Sequence, residues 1–144
     1  MDSPSERGSG IVGLGADVVS IARVQGLLER HRDRFLSRVL TAGERQYAAG
    51  RGSPAESIAA RFAAKEACFK AVGQGWPEDG ISYQDVEVVR GSSGPPRLRL
   101  RGRLEQLARL RGATRAHLTL SHTGDLALAV VVLEAGPGEA TWIV

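Results

Sequence analysis

The chain has 144 residues, 42 % of them hydrophobic, and a formal net charge of +3, enough for one compact domain with a real core but short for two. Its long apolar run, Leu126 to Leu133, falls well below the roughly 20 residues that a membrane helix needs. The single cysteine, Cys68, excludes an internal disulfide and a cysteine metal cluster and reads as a packing residue.

Met1 to Gly10 is polar and glycine-rich without an apolar h-region, so a flexible lead-in and a cytoplasmic location are expected. Ile11 to Val18, rich in β-branched residues and glycine, predicts a buried-type strand ending at Asp17. Ser20 is placed to cap a helix from Ile21, with Val24, Leu27 and Leu28 at helical spacing. A broken basic region follows, then Thr41 as the cap of a short helix through Ala48. Ser53-Pro54 fits a helix start. The central helix then runs to about Val72 and stops at Gly73 and Gly75.

The second half alternates strand and turn. Asp85 to Arg90 and Arg97 to Arg101 flank Gly-Ser-Ser-Gly-Pro-Pro and predict a hairpin, Arg97 to Arg101 with one solvated face. Leu104 to Leu110 is a short amphipathic helix stopped by Gly112. His117 to Ser121 and Leu126 to Leu133 form a second hairpin about Thr123-Gly124-Asp125, and the tail beyond Ala135 reads as loosely ordered. The expected architecture is α+β: a flexible segment 1–10, a single domain over 11–135 with a small antiparallel sheet packed on the long central helix, and a tail 136–144.

The charges are unevenly spread. From Ile21 to Arg51 seven arginines (23, 30, 32, 34, 38, 45 and 51) stand against Glu29, Asp33 and Glu44, a local excess larger than the net +3 of the whole chain. Such a stretch suits an acidic partner: nucleic acid, a phosphate ligand or an acidic protein. Aromatic residues make up only 5 % of the chain, and none interleave with the basic ones for base stacking, which weighs against an RNA- or polyphosphate-binding module.

Within the central helix, Arg61 to Lys70 sets Lys65, Glu66 and Lys70 into an apolar run. At about 100° per residue, Phe62, Glu66 and Lys70 share a face. A carboxylate framed by Phe and Ala needs a cation or a donor; the plainer alternative is an i, i+4 Glu66–Lys70 surface pair. Gly13-Leu14-Gly15-Ala16-Asp17 lacks the third glycine and crossover strand of a dinucleotide loop, leaving Asp17 either as a helix cap or as a functional carboxylate. His31, His117 and His122 without a cysteine pair make no zinc set, and Ser121 has no nucleophile elbow around it.

Taken together, G-L-G-A-D-V-V-S-I-A-R, F-A-A-K-E-A-C-F-K-A-V-G-Q-G and L-S-H-T-G-D-L-A-L-A-V-V resemble the three signature blocks of the holo-acyl-carrier-protein synthases, the short class of 4′-phosphopantetheinyl transferases. The resemblance spans roughly Ile11 to Glu134 and implies that fold and a Mg²⁺-dependent transfer of the 4′-phosphopantetheine arm of coenzyme A to a serine of an acidic acyl carrier protein, releasing adenosine 3′,5′-bisphosphate. It implies Asp17 and Glu66 as metal carboxylates. Glu66 would receive the serine proton directly or through a water, and Lys70 would stabilise the leaving phosphate. It further implies coenzyme A contacts from Lys65, Lys70, Gly73, Gly75, Ser121, His122 and Thr123. Ser121 and His122 would come from a neighbouring subunit of a homotrimer, and Arg23 would face the carrier. No nucleic-acid or membrane partner is implied. Whether the carrier serves fatty-acid, polyketide or peptide synthesis is left open. Phe69 and the Trp76-Pro77-Glu78 loop depart from the family pattern.

Overall fold

The computed structural model describes residues 10–52, 54–73 and 80–142. The lead-in, the Ser53 cap, Gly75 and the Trp76-Pro77-Glu78 loop lie outside them. Two antiparallel sheets and four helices make an α+β fold, as expected. A three-stranded sheet in the order β1-β5-β4 is built from β1 (Gly10–Ser20), β4 (Arg115–Thr123) and β5 (Leu126–Ala135). A separate hairpin pairs β2 (Val86–Val89) with β3 (Arg97–Leu100).

The central helix, α3 (Pro54–Val72), is the hub. It buries twelve of its nineteen residues, on every side, as a helix surrounded by other elements must. Its alanines let β1 and β5 lie close. A Cβ built on Gly13 would stand 2.1 Å from the carbonyl oxygen of Ala71, and one on Gly15 1.9 Å from that of Ala67. Only glycine permits that approach, so the Gly-x-Gly spacing serves strand-on-helix packing. Because strand side chains alternate, Asp17 and Val19 follow Gly13 and Gly15 onto the face toward α3.

Several local expectations hold. The Ser20 hydroxyl accepts from the Arg23 amide and opens α1 (Ile21–Val39). Thr41 caps α2 (Ala42–Ala49) in a full capping box with Glu44. Positive φ at Gly73 and at Gly112 follows α3 and α4 (Gly102–Leu110).

Three expectations are corrected. β1 runs on past Asp17 to Ser20, because Val18, Val19 and Ser20 pair with Leu128, Ala127 and Leu126. The basic region is helical as far as Val39, broken only at His31 (φ −143°, ψ 42°), since burial of Leu36 and Val39 outweighs its polar sequence. The tail is docked at Thr141, whose amide donates to the Thr114 carbonyl (2.8 Å), and at Trp142, which joins the core.

Candidate active site

The carboxylate at position 17 meets Lys70 of α3, and Glu66 lies one turn earlier on the same face of the helix. Side chains lean toward the N-terminus of their helix, so the Lys70 stem runs back along α3. Its ammonium donates to the Ala16 carbonyl and to Oδ1 of Asp17, both at 3.1 Å. Glu66, one turn before Lys70, is half-buried. It does not pair with Lys70. Its Oε1 accepts from the Tyr83 hydroxyl at 2.6 Å, so the i, i+4 surface pair is not what these residues form.

Tyr83 begins a single 3-10 turn (Tyr83–Asp85) ahead of β2. Its ring packs on Phe62 and Phe69, with centroids 5.6 Å and 5.3 Å away. Burial first, and the Glu66 carboxylate next, hold its phenol well above the ordinary tyrosine range, so it remains a donor at neutral pH. Arg38, near the end of α1, and Asp17 also act on this phenol electrostatically, which puts the basic helix beside the cluster. Phe69 fills the aromatic layer under Tyr83.

Lys65 is a correction. It lies about 140° around the helix from Lys70 and is fully buried. Its ammonium donates to the Val39 carbonyl (2.6 Å), Oε1 of Glu44 (2.6 Å) and the Tyr83 carbonyl (2.9 Å). Burial pulls its pKa down while Glu44 opposes the shift. Glu44 also takes the Thr41 amide (2.9 Å) and the Val88 amide (2.8 Å). This lysine is enclosed and saturated, and cannot reach a phosphate.

Gly73 closes α3, its amide donating to the carbonyls of Phe69 (3.1 Å) and Lys70 (3.0 Å). The Arg111 guanidinium covers it so closely that a Cβ there would lie 2.1 Å from a guanidinium nitrogen. Arg23 is exposed on the first turn of α1, as are Arg30, Arg32, Arg34 and Arg38 further along the same helix.

Ser121, His122 and Thr123, at the end of β4, lie apart from the Asp17 cluster. His122 Nε2 contacts Oε1 of Glu56 at 3.2 Å. Glu56 precedes Glu66 by ten residues, about 15 Å along the helix. Ser121 and His122 instead line a cleft of about 510 Å³ with Tyr47, Arg51, Arg61 and Arg90. Arg61 is nearly buried and stacks on the Tyr47 ring (4.2 Å), and its Nε has no hydrogen-bond partner among the described residues. Three guanidiniums and the Glu56 carboxylate line this cleft, so its charge is net positive.

The hairpin that carries His122 also holds the first helix. Asp125 accepts from the Ala22 amide and the Ser20 hydroxyl, each at 2.8 Å. Tyr83, the helix-holding role of Asp125, and Arg61 with Arg90 in the cleft were not foreseen from the sequence. Only the aromatic flanked by Ser82 and Gln84 gave a weak local signal, as a turn.

A match to the 4′-phosphopantetheinyl transferase superfamily model covers residues 13–131. A holo-[acyl-carrier-protein] synthase of Methylorubrum extorquens is 47 % identical over 135 residues, covering 91 % of this chain and 98 % of the relative. The crystal structure of the Neisseria meningitidis holo-[acyl-carrier-protein] synthase superposes with a TM-score of 0.78 at 34 % identity, covering 87 % of this chain and 99 % of that one. The Bacillus anthracis enzyme, solved in complex with CoA (3′,5′-ADP), gives 0.71 at 38 % identity over 88 % of this chain and 98 % of its own. The matched span, residues 13–131, includes Asp17, Glu66 and His122. The chain belongs to the holo-[acyl-carrier-protein] synthase family of the 4′-phosphopantetheinyl transferase superfamily.

Proposed function

We propose that this chain transfers the 4′-phosphopantetheine arm of coenzyme A to a serine hydroxyl of an acidic acyl carrier protein, with Mg²⁺, and releases adenosine 3′,5′-bisphosphate. The observation that carries the reading is the Lys70–Asp17 pair at 3.1 Å between α3 and β1, with Glu66 one turn before Lys70 on the same helix face. In the reaction the serine oxygen bonds to the β-phosphorus, the pyrophosphate P–O bond breaks, and negative charge passes to the departing phosphate.

The donor set fits a hard cation. Among the described residues no three His, Cys, Asp or Glu side chains converge. A metal here would therefore take Asp17 and Glu66 and complete its shell with phosphate oxygens and water, as Mg²⁺ does. When bound, it neutralises phosphate charge. Glu66 accepts the serine proton, directly or through a water. The exposed Lys70 ammonium stands beside the carboxylates and stabilises the departing phosphate. The exposed arginines of α1 attract the carrier and orient its serine, with Arg23 at one end and Arg38 near Tyr83.

Coenzyme A carries phosphate at two places, a pyrophosphate and a 3′-phosphate, and the chain has two cationic places far apart. A trimer reconciles them. Leu14, Val18, Leu126 and Leu128 share the outer face of the three-stranded sheet, by register, and are 65 %, 54 %, 45 % and 37 % exposed. An apolar face of this kind favours self-association. Across such an interface, one subunit's Arg51, Arg61, Ser121, His122 and Thr123 would serve a coenzyme A whose pyrophosphate lies at its neighbour's Asp17, Glu66 and Lys70, with Gly73 beside the adenine.

The test is direct: incubate the protein with coenzyme A, Mg²⁺ and an apo carrier protein, then weigh the carrier by mass spectrometry. A gain of one phosphopantetheine arm is expected. No gain across several unrelated carriers would overturn the reading.

A further inference from the structure

The phenol of Tyr83 is the one hydrogen-bond donor that the described residues bring to Glu66. It donates to Oε1 at 2.6 Å, and Oε2 has no hydrogen bond among the described residues. The phenol is held from three directions. Lys65 fixes its backbone carbonyl at 2.9 Å. Gln84, the next residue, donates to the carbonyls of Ser37 (3.0 Å) and Leu40 (2.8 Å) at the end of α1. Phe62 and Phe69 clamp the ring. A hydroxyl so constrained defines the rotamer of the side chain it touches.

We infer that Tyr83 is a positioning residue: it occupies Oε1 of Glu66 and leaves Oε2 as the one oxygen presented to cation and substrate. The inference rests on the proposed function for its catalytic consequence, but not for its geometry. A carboxylate at a rotatable stem otherwise samples several rotamers, and catalytic groups lose rate steeply when misplaced by about 1 Å.

Tyr83→Phe keeps the ring and its packing and removes only the hydroxyl. The expected result is a kcat lower by about tenfold, the scale of a lost hydrogen bond to a charged group, with KM for coenzyme A and for the carrier within about twofold. Mn²⁺ affinity, read by electron paramagnetic resonance without substrate, should weaken severalfold. In a Glu66→Gln background, adding Tyr83→Phe should change neither Mn²⁺ affinity nor turnover, because the residue through which it acts is already altered. Unchanged kcat and Mn²⁺ affinity in Tyr83→Phe would overturn the inference. So would equal losses in both backgrounds, which mark a purely structural tyrosine. A wild-type protein that modifies no carrier, yet shows Mn²⁺ binding coupled between Tyr83 and Glu66, would refute the proposed function and support the positioning role.

Discussion

Replacing Lys65 by methionine separates two roles for the first lysine of the Lys-Glu pair. The side chain has no exposed surface, and its ammonium serves Glu44, Val39 and Tyr83 at 2.6 to 2.9 Å. Methionine matches the stem but leaves Glu44 charged in a site closed to water. Breaking a buried pair in this way costs about 3–5 kcal/mol. At roughly 3 °C per kcal/mol for a chain of this size, the melting midpoint should fall by about 10–15 °C. Glu44 retains the Thr41 and Val88 amides, so the loss should sit toward the lower end. Lys65→Met with Glu44→Gln removes both charges and should recover part of the stability, although one amide then loses its acceptor. Circular dichroism melts with urea titrations give the free energies, and KM for coenzyme A at 20 °C reports any phosphate role. A melting midpoint within 2 °C of wild type together with a tenfold higher KM would refute the structural assignment and return Lys65 to the substrate.

Four further outcomes follow from the geometry. Asp17→Asn should lower turnover by two or more orders of magnitude with the melting curve intact, and chelation should abolish transfer until Mg²⁺ is restored; full activity in excess EDTA would contradict a metal requirement. Arg23→Glu should raise the apparent KM for an acidic carrier far more than that for coenzyme A, and 0.5 M salt should reproduce part of the effect by screening; equal rises would make the arginine structural. Gly15→Ala forces a methyl against the Ala67 carbonyl and should cost about 2–3 kcal/mol by overpacking, whereas alanine at the open Gly52 should cost little in the same melts. Stability should also fall at high pH in a way that Tyr83→Phe removes. The native phenol keeps its proton above the range in which the unfolded chain releases it near pH 10; the stabilisation is complete below pH 10 and is lost as pH rises above it, so parallel slopes for both proteins between pH 9 and 11 would count against the buried phenol.

Much of the fold was legible because its signals are local. Ser20 and Thr41 cap the helices that follow them, Gly-Ser-Ser-Gly-Pro-Pro and Thr-Gly-Asp turn the two hairpins, and Gly73 ends α3. The shared helix face of Glu66 and Lys70 was legible from their spacing. Lys65 was placed at coenzyme A through its membership of the shared motif, whereas its angle on the helical wheel already set it away from Lys70. Tyr83, Arg61 with Arg90, and Asp125 on the first turn of α1 depend on contacts between elements far apart in the chain, and no local pattern carries that information. The basic stretch looked broken because its charges hide the two buried residues, Leu36 and Val39, that keep it helical.

Four charges of the central helix lie on two of its faces, and three other elements answer them. Arg61 stacks on Tyr47 of α2, Lys65 pairs with Glu44 of the same helix, Glu66 takes the hydroxyl of the 3-10 turn, and Lys70 reaches Asp17 on β1. The two middle contacts are joined, because Lys65 also binds the carbonyl of the tyrosine whose hydroxyl binds Glu66. A buried ion pair with no exposed surface thus orders the turn whose tyrosine binds Glu66. Its cost in desolvation is offset by hydrogen bonds that saturate both charges, and its effect is to tie the position of Glu66 to the packing of α2. The Lys-Glu dipeptide therefore works as a unit with two separate tasks: the lysine anchors the support from inside the core, and the glutamate presents its oxygen at the surface.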